Sequence, residues 1–178
     1  MNTSRSLLYI VISSSQAPYH SLHRRLQFKW YEGPVAHKVY LNAILDLFDR
    51  GIVVFIIRDS NDNPLVFDIF RIATAANPDA HPLFHSDRGF QYTSRTFHSM
   101  LEEAGMQQSM SRVADNEPMK GFRGILKRER YYGKRFTDRE SPVKMIEDYN
   151  DYYNTKRLQR NLGVLTPIEK HKQYLLAA

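Results

Sequence analysis

The chain has 178 residues, 42% of them hydrophobic, with 10 Phe, 11 Tyr and 1 Trp, a length and composition that suit one packed soluble domain and exclude a second sizeable core or wholesale disorder. It contains no cysteine, which excludes disulfides, thiol nucleophiles and thiolate zinc sites, so His20 and His23 lack the Cys partners of an HHCC zinc module. The formal charge is +6, and from Lys120 onward fourteen Lys and Arg face seven Asp and Glu; the basic surplus belongs to the final third, as in a footprint for phosphates, with a solvated helix face as the plainer alternative.

In chain order, LLYIVI (residues 7–12) is too short to span a bilayer, which needs about 18 apolar residues, and its flanks imitate a signal peptide poorly. A cytoplasmic protein without a membrane partner is expected. LQFKWY (26–31) reads as a strand ended by the turn EGP. KVYLNAILDLFDRGIVVFIIR (38–58) holds two apolar segments rich in Val, Ile, Tyr and Phe, broken by DRG, and predicts an antiparallel hairpin. Helical spacing follows over 63–76, with Pro64 in the first turn. PLFHSD (82–87) reads as a short buried strand ending on an aspartate. Residues 93–104 predict a helix capped at Thr93 or Ser94 and stopped at Gly105, and 107–113 a weak strand. DNEP (115–118) opens a helix predicted to reach about Tyr132. Another is predicted over 139–153, where Val143, Ile146, Tyr149, Tyr152 and Tyr153 recur at helical intervals. Thr166 and Pro167 read as the N-cap and first-turn proline of a last helix. Strands first, then helices alternating with short strands, then a basic helical tail predict an α/β fold with a mixed β-sheet flanked by helices.

HSDRGFQYTSRTF (85–97) places an Asp at a strand's carboxyl end before Arg-Gly and a polar turn. That is how an α/β sheet edge presents a carboxylate to a divalent metal; an Asp–Arg turn pair is the bland alternative. Four blocks in order now accumulate: FKWYEG with YLNAILDLFDRGIV; ANPDAHPLFHSDRGFQYTSRTFH; MSRV with DNEPMKGFRGILKRERYY; and YNTKRLQRNLGVLTPIEKH. Over residues 26–175 the chain resembles bacterial insertion-sequence transposases whose DDE catalytic core is like retroviral integrase.

The resemblance implies an RNase H-like integrase core over 26–135 with an incomplete first strand, and a helical C-terminal part of the core with a basic tail over 136–178. Residues 1–25 match nothing in the family, which suggests a truncated or degenerate copy. DNA is the implied partner, as insertion-sequence ends and target, in the bacterial cytoplasm in association with the nucleoid. A homo-oligomer or association with intact transposase is also implied. The implied chemistry is phosphoryl transfer with two Mg²⁺ or Mn²⁺ ions held by two Asp and one Glu. Such ions clamp the attacking and leaving oxygens of an in-line displacement, and several anionic oxygens must hold them.

Position by position, the carboxylates are depleted. Asp87 stands at the second acid, the expected catalytic and metal-binding residue. Counting back from Phe28 puts Arg24 where the first acid belongs. In MKGFRG, Lys120 holds the place of the glutamate, with 32 residues between Asp87 and Lys120, fewer than the family pattern has. An ammonium there repels a dication by about 4 kcal/mol per unit charge at 4 Å and an effective dielectric near 20. Glu117, roughly one helical turn earlier, Asp115 and Asp46 are the candidates to rebuild a metal site, although Asp46 reads better as closing the hairpin. Lys127, Arg128, Arg130, Lys134, Arg135, Arg157 and Arg160 are expected along the DNA path as phosphate contacts. The expectation is therefore an insertion-sequence transposase that is catalytically impaired and left as a DNA-binding core. The alternatives are a non-enzymatic inhibitor that associates with intact transposase, and a nuclease using Asp87 with improvised partners.

Overall fold

The computed structural model describes residues 8–12, 27–60, 63–86, 88–110 and 117–177, with the backbone alone for residues 8–12, 63 and 117–120. The longest strand, β3 (Val35–Asp46), organises the rest. Val39, Leu41, Ala43 and Leu45 are buried on one face, and Asn42, Ile44 and Asp46 on the other. From Leu41 onward the strand therefore lies between two layers and reads as a continuous run. Toward its start it is one-sided, with Ala36 and Lys38 exposed.

The predicted hairpin is present: β4 (Ile52–Arg58) pairs antiparallel with β3 from Tyr40↔Arg58 to Leu45↔Ile52. Asp46 closes the turn as expected. Its N–H donates to the Gly51 carbonyl at 2.9 Å, its Oδ1 accepts from the Phe48 N–H at 2.7 Å, and Asp49 Oδ1 accepts from the Gly51 N–H at 2.8 Å. The left-handed residue is Arg50 (φ +57°), not Gly51. Gly51 is needed for room instead, because a Cβ there would lie 3.0 Å from Asp49 Oδ1 and 3.3 Å from Pro167 Cβ.

Strand β2 (Gln27–Glu32) pairs with the first half of β3, from Gln27↔Tyr40 to Glu32↔Val35. Tyr40 pairs with Gln27 on one side and Arg58 on the other, so β2 and β4 flank β3. The upper half of the β2 edge is taken by β1 (Leu8–Ile12), antiparallel to β3 from Tyr9↔Asp46 to Ile12↔Ala43. Beyond it lie β5 (Leu83–Ser86), parallel to β1, and β6 (Gln107–Met110), parallel to β5. The central place in the sheet thus falls to a segment within residues 1–25, and β1 and β2 stand end to end along the same edge of β3.

Helices α1 (Asn63–Ala76) and α2 (Arg95–Glu103) cover one face, burying Val66, Ile69, Phe70, Phe97 and Leu101 against Ile44 and Phe84. Helices α3 (Glu117–Leu126) and α4 (Glu140–Thr155) cover the other, where Phe122, Leu126, Ile146 and Tyr149 meet Phe28, Val39 and Leu41. Ser94 caps α2, its Oγ accepting from the Phe97 N–H at 3.2 Å, and Gly105 (φ +66°) ends it. There the N–H of Met106 bonds Leu101 and that of Gly105 bonds Glu102, a Schellman closure. Thr166 and Glu169 form a reciprocal capping box at α5 (Pro167–Ala177). Asn154 on α4 brackets Ile52, accepting from its N–H at 2.8 Å and donating to its carbonyl at 2.9 Å. His171 on α5 sits 2.8 Å from the Asp49 carboxylate. Both last helices are thereby tied to the β3–β4 turn.

One helix differs from expectation. Instead of continuing to Tyr132, α3 stops at Leu126 and the chain makes a π-helical turn over Lys127–Tyr131, closed by the Tyr132 N–H on the Lys127 carbonyl at 2.8 Å. The widened turn packs the Tyr131 ring edge-on to Phe28 at 5.1 Å and lets its hydroxyl accept from the Lys29 N–H at 2.9 Å. No helix among the described residues is long and apolar enough to cross a membrane.

Candidate nucleic-acid interface

The π turn and the segment leaving it carry most of the predicted cations. Arg128, Arg130, Lys134 and Arg135 are exposed. The segment is held against the outer edge of β2, where the Tyr31 N–H donates to the Phe136 carbonyl at 2.9 Å and the Phe136 ring stacks on Tyr131 at 5.9 Å. Packed rings also steady two guanidiniums: Arg130 lies 5.4 Å from the centre of Tyr152, and Arg135 lies 4.9 Å from that of Tyr31. The exposed Arg160 opens a 3₁₀ turn, Arg160–Leu162, whose Leu162 is buried.

Two of the seven predicted contacts have other duties. Lys127 is only 7% exposed, its ammonium 5.4 Å from the Phe28 ring centre and 5.7 Å from that of Tyr131. It is turned into the sheet side of the helix. Arg157 is partly buried and donates through Nε and Nη2 to Glu129 Oε1 at 3.2 and 3.0 Å, while the Tyr149 hydroxyl donates to Glu129 Oε2 at 2.8 Å. Burial works against the Glu129 carboxylate, but the hydrogen bonds from Arg157 and Tyr149 and the nearby charges of Arg157 and Arg130 outweigh it and hold its pKa below the ordinary range. Burial, then the Glu129 bond, push the Tyr149 hydroxyl far above its ordinary value. Glu129 thus fastens the π turn to α4 and to the segment after it.

A depressed carboxylate stabilises the fold above its unfolded-state value and loses that contribution as pH falls through its folded-state value. Glu129→Gln is accordingly expected to lower stability by about 1–2 kcal/mol at neutral pH, a figure reduced for partial exposure. The gap between wild type and variant should close below the ordinary Glu value of 4.5. Denaturation of both proteins across that range measures it.

The candidate catalytic corner is described through its frame. Arg24, Asp87, Asp115, His20 and His23 lie outside the described residues, and Glu117 and Lys120 are placed by backbone alone on the first turn of α3. Ile12 pairs with Ala43, beyond the end of the β2 pairing at Gln27↔Tyr40. Asp46 pairs with Tyr9, which pairs with Phe84, so it is level with the middle of β5 and not with its carboxyl end. Its carboxylate Oδ1 closes the hairpin turn. Among the described residues no group of three His, Asp or Glu is arranged to hold a metal ion.

Sequence reasoning passed over two exposed cations, Lys29 and Lys38. The signal was there: both occupy outward positions of the period-two pattern in the first hairpin.

The family described as integrase core domain matches residues 20–116, and a second integrase core domain family matches residues 120–175. A transposase-like protein of Haemophilus influenzae is 39% identical over 152 residues, covering 84% of this chain and 68% of its own length. The chain belongs to the integrase-core family of insertion-sequence transposases. The transposase for insertion sequence element IS904 of Lactococcus lactis is 35% identical, covering 75% of this chain and 55% of its own length. This transposase core therefore spans about two thirds of the first relative and about half of the second. In three dimensions it resembles the HTLV-2 integrase catalytic core domain, solved in complex with magnesium, with a TM-score of 0.61 at 12% identity over 93% of this chain and 96% of that one. The fold is thus the RNase H-like integrase core, as expected, with β1 supplying part of its central strand.

Proposed function

We propose that this transposase core binds DNA through the cationic surface around the π turn and does not itself carry out phosphoryl transfer. The observation that carries the first half is the solvent-facing set of Arg128, Arg130, Lys134 and Arg135, two of them held over aromatic rings, extended by Arg160. Guanidiniums and ammoniums so placed contact phosphates without reading bases. Arg157 supports this surface from beneath, and Lys127 belongs to the core.

The second half rests on the chemistry of the donor set. A site for Mg²⁺ or Mn²⁺ in this fold needs several carboxylate oxygens. The three positions aligned with that task are Arg24, Asp87 and Lys120, one carboxylate and two cations. The residues present do not fit the metals that the family chemistry requires.

Anisotropy titration of a labelled random-sequence duplex against NaCl tests the binding. Log affinity should fall with log salt at a slope of about −0.9 per phosphate contact. Arg128→Ala and Arg130→Ala should each remove about 0.9 from that slope, whereas Lys127→Ala should lower stability and leave the slope unchanged. Absence of binding at low salt would overturn the proposal.

A further inference from the structure

The open face of the β2–β3 hairpin has a charge pattern that its own fold does not explain. Lys29 and Lys38 are directly opposite each other in the register, which puts their Cβ atoms about 4.5–5.5 Å apart on one face, and like charges so placed destabilise a sheet. Both are exposed, and no acid is paired with either among the described residues. Glu32, the acid of this hairpin, is 3.6 Å from His37, and both residues belong to the opposite face by alternation. The neighbouring charge across β3, Arg58 at the end of β4, is already paired with Asp68 at 2.6 Å.

The face also has a fourth member, Arg135. Tyr31 lies two residues beyond Lys29 and therefore points to the same side, and the Arg135 guanidinium sits over its ring. Because the segment carrying Arg135 runs along the outer edge of β2, the cations of the π turn and those of the hairpin are joined around that edge. We infer that Lys29 and Lys38, with Arg135 as the link, form a second lane of phosphate contacts, so that bound DNA lies against both the π turn and the open hairpin face.

This inference rests on the proposed DNA-binding reading, and its test separates the two. The double variant Lys29→Ala with Lys38→Ala should reduce the salt slope by about 1.8, from about 0.9 per phosphate contact, without lowering the thermal midpoint, since the repulsion is relieved. Lys29→Arg with Lys38→Arg should keep the slope. Lys172→Ala, an exposed change on α5, should also leave it unaltered. If the hairpin variant keeps the wild-type slope while Arg128→Ala and Arg130→Ala lower it, the hairpin lane is refuted and the main surface stands. If Lys172→Ala lowers the slope as much as a hairpin lysine does, binding follows overall charge and the inference also fails. No binding by the unmodified chain overturns both readings.

Discussion

Replacing Phe97 with alanine is expected to destabilise the protein by about 3–5 kcal/mol, the largest single-residue effect on stability foreseen here. The ring is fully buried and joins both helices of its layer to the sheet. Its centre is 5.3 Å from those of Phe70, Phe84 and Tyr92 and 6.3 Å from that of Phe67. Truncation loses the transfer free energy of the ring and opens a cavity whose aromatic walls, set by α1, β5 and the turn before α2, collapse only partly. Against a net folding free energy of roughly 5–15 kcal/mol, such a loss takes a large share. Denaturant titration should show a lower midpoint, and a change below about 1 kcal/mol would show that the two helices do not share one core. Leu176→Ala, at a side chain 90% exposed, should stay within about 0.5 kcal/mol.

The largest functional effect concerns chemistry. Enzymatic rate enhancements begin at about 10⁶-fold, and on the proposed reading, in which two of the three metal-site positions carry cations, essentially all of that enhancement should be forfeited. Reversing one replacement should not restore it. Lys120→Glu removes a repulsion of about 4 kcal/mol per unit charge at 4 Å, so it should strengthen Mn²⁺ binding beside Asp87. It leaves Arg24 at the sequence position read as that of the first acid. The expected result is a raised Mn²⁺ affinity, followed by metal titration, with no gain in DNA cleavage; cleavage recovered by this one change would show that the first acid is dispensable.

Much of this arrangement is legible in the sequence because local chemistry decides it. The β3–β4 hairpin, α1, β5 and α2 follow from apolar periodicity, and their ends follow from side chains that satisfy exposed backbone groups, such as Ser94, Gly105 and Thr166. Asp46 reads correctly as a turn residue because a short carboxylate two positions before Phe48 can reach its N–H. What is not legible depends on distant partners. LYIVI becomes a central strand only because β3 and β5 leave it a gap. ILKRERYY contains no Gly or Pro to break a helix, and the π turn arises where Tyr131 and Lys127 meet Phe28. A run of basic residues cannot show which member faces inward, which is why Lys127 and Arg157 read as equals of Arg128 and Arg130. The paired lysines were obscured for the opposite reason: they are nine residues apart in the chain and become neighbours only through register.

The most direct test of a DNA-binding core without transfer chemistry follows one labelled duplex bearing the element's terminal repeat, with binding and cleavage read on the same sample in Mg²⁺ and in Mn²⁺. The duplex should be bound and remain uncut, with the same outcome for Asp87→Ala. Metal-dependent nicking or strand transfer that disappears in Asp87→Ala would contradict the account.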